Sequence, residues 1–170
     1  MKKLLFVIIT FLSLCCQGCN GQHFKFMGIP LDGNLAAFAA KIEEKGFVKS
    51  VNYSKFNTDN EKYYDGEFAG DSVLLLIRAT PKSGLVYCAS TNHFVNTEKH
   101  AKQWKERYEK AIGKKYNTTK QTASPTISRF NTDNGNIMVY YQKDNTLNKY
   151  LVSITYFDIK NTRLFKKEKN

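Results

Sequence analysis

Cysteine is scarce in the body of this chain. Of the four cysteines among 170 residues, three lie within the first 19 residues, and only Cys88 lies further along. A single cysteine cannot form an internal disulfide, so the body of the chain depends on a hydrophobic core rather than on covalent cross-links. Cys88 itself lies in the apolar run 85–89, where a small buried side chain is expected.

Residues typical of catalytic and metal centres are also few. The three histidines form neither His-x-His nor His-Glu-x-x-His, and the chain contains no Gly-x-Ser-x-Gly, P-loop or Gly-x-Gly-x-x-Gly. Cys88 and His93 lie five residues apart on one predicted strand and therefore point to opposite faces. No catalytic residue, cofactor or metal site is predicted. Acids near predicted turns are better explained by turn capping than by catalysis: Asp59, Asp65, Glu67 and Asp71.

The chain has no apolar run long enough to span a bilayer. Its longest, residues 4–14, has about half of the roughly 20 residues that a spanning helix needs. Lys2 and Lys3 precede this run, and small and polar residues follow it, which is the order of a signal peptide. The sequence therefore predicts export and a signal peptide over residues 1–21, with the protein in the periplasm, at the outer membrane or secreted.

Two ways of processing this signal stay open. Cleavage after Gly21 leaves Gln22 as the first residue of a free protein. Alternatively, Cys19 is the site of lipidation, and the domain then hangs from a membrane by its acyl chains. Stable anchoring needs more than one chain, which a lipoprotein cysteine provides. Contact with a membrane is expected only through such an anchor.

Acidic residues are outnumbered. Without residues 1–21, the chain has 24 basic and 15 acidic residues and a net charge of +9. Such a surface suits anionic partners. The basic residues are spread along the chain, however, so solubility is the simpler explanation and nucleic acid is not an expected partner.

Periodic apolar residues predict two helices and several strands. Leu35, Phe38 and Ile42 form one helical stripe after an Asn34 cap, and Trp104 and Tyr108 belong to another over residues 96–115. Alternating β-branched and aromatic residues predict strands joined by turns, over residues 23–27, 47–56, 63–69, 73–79, 85–94, 126–130, 136–143 and 150–157. The predicted fold class is α+β, an antiparallel sheet with two helices on one face.

The order of helix, strands, helix, strands suggests an internal repeat of residues 23–95 and 96–158. Residues 54–60 (SKFNTDN) are echoed by 128–134 (SRFNTDN), although turn residues also converge by chance. The domain prediction is a signal peptide over 1–21, one domain over 22–158 and a basic tail over 159–170.

Several short motifs resemble those of small secreted proteins from gut Bacteroidetes, a group without an assigned function. The motifs are distributed over most of the chain that follows the signal: residues 26–33 (FMGIPLDG), 45–47 (KGF), 66–70 (GEFAG), 104–116 and 156–158. The resemblance implies export and a shared fold and supplies no catalytic residues. The two-repeat layout is similar to that of β-lactamase inhibitor proteins and of SmpA-like outer-membrane assembly lipoproteins, an analogy of fold alone.

Two pairs of adjacent tyrosines provide the candidate binding surface. Tyr63–Tyr64 and Tyr140–Tyr141 each place one ring on either face of a predicted strand, so the outer rings are candidates for a solvent-facing platform. Ordinary cross-strand packing is the alternative. The sequence favours a monomeric, non-catalytic binding module of the cell envelope with a protein or polysaccharide partner. An inhibitor or assembly factor for an exported protein, and a hydrolase of envelope or host polymers, are the alternatives.

Overall fold

The structure, a computed structural model, describes residues 22–170. The expected signal peptide and the lipidation candidate Cys19 lie outside the described residues. Within the described part of the chain, no helix is long and apolar enough to cross a membrane.

The fold is α+β with an antiparallel sheet, as predicted. Two strands form a small hairpin, and eight form the main sheet in the order β3-β4-β5-β6-β10-β9-β8-β7. The elements in chain order are β1 (Lys25–Phe26), β2 (Ile29–Pro30), α1 (Leu35–Glu43), β3 (Val48–Lys49), a 3-10 turn (Ser54–Phe56), β4 (Glu61–Phe68), β5 (Asp71–Ala79), β6 (Val86–Val95), α2 (Glu98–Tyr116), β7 (Lys120–Ser124), β8 (Ile127–Asn131), β9 (Gly135–Asp144), β10 (Lys149–Asp158) and α3 (Ile159–Lys169).

Both predicted helices begin at a side-chain cap, and Asn34 is the cap expected from the sequence. The side chain of Asn34 accepts a hydrogen bond from Ala37 N, and that of Thr97 accepts one from His100 N. These bonds satisfy amide groups that have no partner within the helix. Gly46, with φ +91°, allows the chain to turn after α1 in a conformation that a side chain would strain.

The main sheet has two halves with the same order of elements. α1 precedes β3 to β6, α2 precedes β7 to β10, and β6 pairs with β10 at the centre. The two similar heptapeptides do not occupy equivalent positions. Residues 54–60 include the 3-10 turn and precede β4, whereas 128–134 lie in β8 and the turn after it. The internal repeat therefore stays a prediction that the heptapeptides do not support.

The sheet buries one face under α1 and α2. Residues directly opposite one another on successive strands share this face, among them Leu75, Ile154 and Val139. They belong to one hydrophobic core with the inner residues of the helices, such as Phe38 and Tyr108. The other face carries neither α1 nor α2 and is called the open face below.

The segment predicted to be a basic tail forms a third helix. α3 packs against β6 and β10, and Phe165 stacks on Tyr87 with ring centroids 4.4 Å apart. The buried Asn161 amide donates hydrogen bonds to the carbonyls of Leu31 and Val86, and Glu168 accepts hydrogen bonds from the 82–83 turn. The helix is therefore fixed at both ends and covers one end of the open face.

The prediction of strands failed at two places. The segment 47–56 contains only the two-residue strand β3, followed by a turn and the 3-10 turn. No strand was predicted within the segment 118–125, yet it contains the edge strand β7. β7 escapes detection because its side chains are polar and its place at the edge of the sheet demands no apolar alternation.

Candidate functional site

The four tyrosines singled out from the sequence do not form one surface. Tyr64 and Tyr141 lie in the buried core on the helix-covered face, with 2% and 6% of their surface exposed. Tyr63 and Tyr140 lie half-buried on the open face. Four strand spacings of about 4.8 Å separate their strands, which places the two rings roughly 19 Å apart. The prediction that the outer rings form one shared platform is therefore wrong. Tyr63 nevertheless belongs to the candidate site described below.

The buried pair of tyrosines is held by acids of the helices. The Tyr141 hydroxyl donates a hydrogen bond to Glu98 of α2 at 3.1 Å. Burial, and next the nearby Glu43 of α1, raise the pKa of Tyr64 to about 12. Both rings serve to join helices to the sheet, which is the ordinary packing role that the sequence left as the alternative.

Tyr63 belongs instead to a cluster of three rings at the edge of the sheet. Tyr53 stacks on Tyr63 with centroids 5.8 Å apart, and Phe56 contacts both rings at 6.0 and 6.3 Å. The 3-10 turn places Phe56 beside the strand because Asn57 accepts a hydrogen bond from Tyr63 N. We call these three residues, together with Val48 and Val51, the aromatic corner.

The aromatic corner exposes most of the large apolar side chains found on the surface. Among the described residues four large hydrophobics are exposed, and three of them are Val48 (63%), Val51 (84%) and Phe56 (50%). Scattered exposed hydrophobics are normal, whereas a contiguous group points to an interaction site. Sequence reasoning missed this group because residues 47–56 were interpreted as a strand with one face buried.

A wide cleft of about 760 Å³ adjoins the aromatic corner on the open face. Val48 and Tyr53 form one wall, and Leu74 and Phe94 contribute apolar surface further in. Its acidic side chains are the pair Asp65 and Glu67, which project from the same face of β4. Neither acid takes part in any of the salt bridges found within residues 22–170.

The acids that motivated a hydrolase do not converge. Asp65 and Glu67 share the open-face cleft, whereas Asp59 lines a separate cleft on the helix side. Asp71 lies 3.5 Å from Arg107 of α2 in an ion pair. The four residues are thus divided among three places, and only Asp65 and Glu67 can act on one ligand.

Cys88 is buried on the open face, as expected from the sequence. It is 0% exposed, and its sulfur lies 3.7 Å from the hydroxyl of Ser90, which donates a hydrogen bond to Thr155. Burial raises the pKa of the Cys88 thiol to about 11. Since the thiolate is the reactive form, the thiol is inert at neutral pH. His93 lies on the opposite face of the sheet against Trp104, at 4.7 Å between centroids.

Metal ligands do not cluster in the described part of the chain. Residues 22–170 contain no group of three or more His, Cys, Asp or Glu side chains that could hold a metal ion. His23 instead lies 3.1 Å from the buried Asp158, which also accepts a hydrogen bond from Phe24 N and fastens the N-terminal segment to the end of β10.

The second half of the sheet buries a charged network that the sequence did not reveal. Lys105 of α2 lies 2.5 Å from Glu109 and donates a hydrogen bond to Ser128 at 3.0 Å, and Lys120 also contacts Glu109 at 3.1 Å. Burial opposes the ionisation of Glu109, but hydrogen bonds from Lys105, Ser128 and Lys120 outweigh it and lower its pKa. Lys105 and Glu109 are four residues apart, which is also the spacing of ordinary exposed ion pairs on a helix. The sequence therefore gives no sign that this pair is buried.

Comparisons with protein families, with curated proteins and with solved structures found no match for this chain. The fold and the geometry above therefore define its class, an α+β protein with an antiparallel sheet covered by helices on one face. The resemblance to secreted proteins of gut Bacteroidetes stays an expectation.

Proposed function

We propose that this protein is an exported, non-catalytic binding module of the cell envelope that takes a protein partner on its aromatic corner and open-face cleft. One observation carries the proposal. Three of the four large exposed hydrophobics of the described chain lie within residues 48–56, and one of them, Val48, lines that cleft beside Tyr53. Aromatic residues are enriched at protein interfaces, where they supply large buried areas.

The charge of the surface favours a basic partner. Asp65 and Glu67 lie in the cleft without ion-pair partners of their own within residues 22–170. In a chain with an excess of basic residues, this acidic strip is a local exception. Complementary charges set the orientation and the rate of association more than the affinity. The partner that fits this surface presents apolar side chains flanked by lysine or arginine.

An inhibitor or assembly factor belongs to the same class of function. Both act by covering a surface of another exported protein, and the wide, partly apolar cleft suits this role. The division of the four candidate acids among three places leaves Asp65 and Glu67 as the one pair that could serve the hydrolase alternative, since glycoside hydrolysis needs two carboxyl groups facing one scissile bond.

Site-specific photo-crosslinking in the producing cell tests the binding surface. A photoreactive phenylalanine analogue at Val51 or Phe56 is expected to give the same discrete protein adduct. The matched control is Leu147, the fourth exposed hydrophobic, which is 47% exposed and lies in the β9–β10 turn. Equal adducts from all three positions, or none from Val51 and Phe56, would contradict the proposal.

Export is a separate part of the proposal and has a separate test. The mature chain is expected to begin at Gln22 if it is released, or at Cys19 carrying acyl chains if it is a lipoprotein. Its intact mass and its location after cell fractionation decide between these forms. An unprocessed chain that begins at Met1 and stays in the cytoplasm would refute export. The crosslinking experiment would still show whether Val51 and Phe56 contact a partner.

A further inference from the structure

A second cleft of about 530 Å³ lies on the helix side of the sheet, between α1 and β4. It exists because the flank of α1 that faces the sheet edge consists of alanines. Ala36, Ala39 and Ala40 reach only a short way towards β4, so a gap remains beside the packed stripe of Phe38 and Ile42. The volume lies in the range of roughly 300–1,000 Å³ that is typical of small-molecule pockets.

Alanines of α1 and the ring of Tyr64 form the apolar part of this cleft, which is also lined by two acids, Glu43 and Asp59. Tyr64, opposite the alanines, is only 2% exposed, and the proximity of Glu43 contributes to its raised pKa. Glu43 also lies 3.8 Å from Lys49. Asp59, at the mouth, is exposed to solvent and needs no partner.

Lys62 is the exception among the charged groups of this cleft. It lies opposite Ile77 in the register of β4 and β5, on the helix-covered side of the sheet, and is half-buried. None of the salt bridges found within residues 22–170 includes Lys62. The ammonium of Lys62 is therefore available to an anion in the cleft, with which it would form a charge-assisted hydrogen bond.

We propose that this cleft binds a small amphipathic carboxylate, with its apolar body against Ala36 and Ala40 and its carboxylate on the ammonium of Lys62. Tyr63 of the aromatic corner also lines this cleft, but the side chains of Lys62 and Tyr63 project from opposite faces of β4, so the proposed carboxylate site and the open-face cleft lie on opposite sides of the sheet. The ligand of the carboxylate site is anionic, whereas the open-face cleft favours basic groups. The two sites are therefore separable by charge as well as by position.

The test is an NMR titration of the purified protein with three probes of equal chain length: octanoate, octanol and octylamine. Octanoate is expected to give saturable shifts of the Ala36 and Ala40 methyl signals and to bind at least tenfold more tightly than octylamine. The variant Lys62→Met keeps the apolar stem and removes the charge. It should weaken octanoate at least tenfold and change octanol less than twofold.

A matched pair of variants separates filling of the cleft from a change in the helix. Ala40→Leu fills the cleft and should abolish binding of both octanoate and octanol. Ala37→Leu makes the same change at an exposed position of α1 outside the cleft and should leave both affinities within twofold. Thermal unfolding confirms that each variant folds. The proposal fails if octanoate gives no saturable shift, if octylamine binds equally well, or if Lys62→Met leaves octanoate binding unchanged.

Discussion

The two outer edges of the main sheet have been finished in different ways. At the β7 edge, the 19-residue helix α2 reaches across the sheet, and the Lys105–Glu109 network fills the space between this helix and the strands. At the β3 edge, the nine-residue helix α1 leaves a cleft on one side of β4, and the aromatic corner stays exposed on the other. The same order of elements therefore gives one edge filled with structural contacts and one edge with open surfaces, and the open edge is where we place function.

The largest expected effects concern two glycines, one in each half. A side chain at Gly135 would meet Phe24 at 2.3 Å and the Phe157 carbonyl at 2.6 Å, and one at Gly66 would meet Phe47 at 2.4 Å. We expect Gly135→Ala and Gly66→Ala each to lower the free energy of unfolding by about 3 kcal/mol. The loss should be somewhat larger for Gly135→Ala, because the Phe157 carbonyl belongs to the backbone and cannot rotate away as a side chain can. Chemical denaturation measures both.

Gly113 provides the control for these substitutions. It lies inside α2, and a side chain there would meet nothing closer than Thr118 O at 3.6 Å. Gly113→Ala should raise the free energy of unfolding by up to about 1 kcal/mol, because alanine is the better helix former. If Gly135→Ala, Gly66→Ala and Gly113→Ala were equally stable, the close packing of a phenylalanine on Gly135 and on Gly66 would not contribute to stability.

The next effect concerns the filled edge. Glu109→Gln leaves Lys105 buried with less compensation, and we expect a loss of about 2 kcal/mol, below the 3–5 kcal/mol of a fully buried pair because Lys120 keeps the site partly open to water. The matched change Glu43→Gln at the open edge removes the exposed pair with Lys49 at 3.8 Å and the charge beside Tyr64, and should cost less than about 1 kcal/mol. Losses of equal size would remove the distinction between the edges.

The buried carboxylate of Glu109 should also make the stability of the protein depend on pH. The pKa of Glu109 is lowered in the folded protein, so its contribution is present above the ordinary carboxyl value near 4.5 and is lost as the pH falls through the lower folded value. The wild type should therefore lose more stability than Glu109→Gln when the pH falls from about 5 to about 3. Parallel denaturation curves for the two proteins across this range would contradict the assignment.

The smallest effect on stability should come from the aromatic corner. Val51→Ser and Phe56→Ser change exposed side chains and are expected to alter the free energy of unfolding by less than about 0.5 and 1 kcal/mol, respectively. The same variants should lose the crosslinked adduct obtained from a probe at Val48. A large loss of stability would mean that the corner is a structural element of the edge.

Much of the fold could be predicted because the helices and central strands have strong periodicity. The apolar stripe that includes Trp104 and Tyr108, and the Asn34 cap with the stripe that follows it, predicted both main helices within a few residues. The third helix could not be found in this way, since few apolar side chains fasten it and its contacts come from Asn161, Phe165 and Glu168.

The candidate site was harder to predict than the fold. An adjacent pair such as Tyr63–Tyr64 must place one ring on each face of a strand, but the sequence does not say which face the helices cover. The partners of Tyr63 are Phe56 of the 3-10 turn and Tyr53, which immediately precedes it, and both residues also fit the pattern of a strand. The two clefts depend on the gaps left by α1 and the 50–60 segment, which only three-dimensional packing determines.

The pairing of β6 with β10 has a consequence for how the chain reaches its folded state. The paired residues range from Tyr150 and Val95 to Phe157 and Cys88, so the central seam joins segments that are 55 to 69 positions apart. As the chain is made from its N-terminus, β6 completes the first half long before β10 exists, and one long edge of that half has no strand beside it. Pairing of β6 with β10 is slow because a long loop must close at an entropic cost. Until then the unpaired edge of β6 can pair with strands of other chains. The last quarter of the polypeptide thus decides whether the first half ends in a monomer or an aggregate.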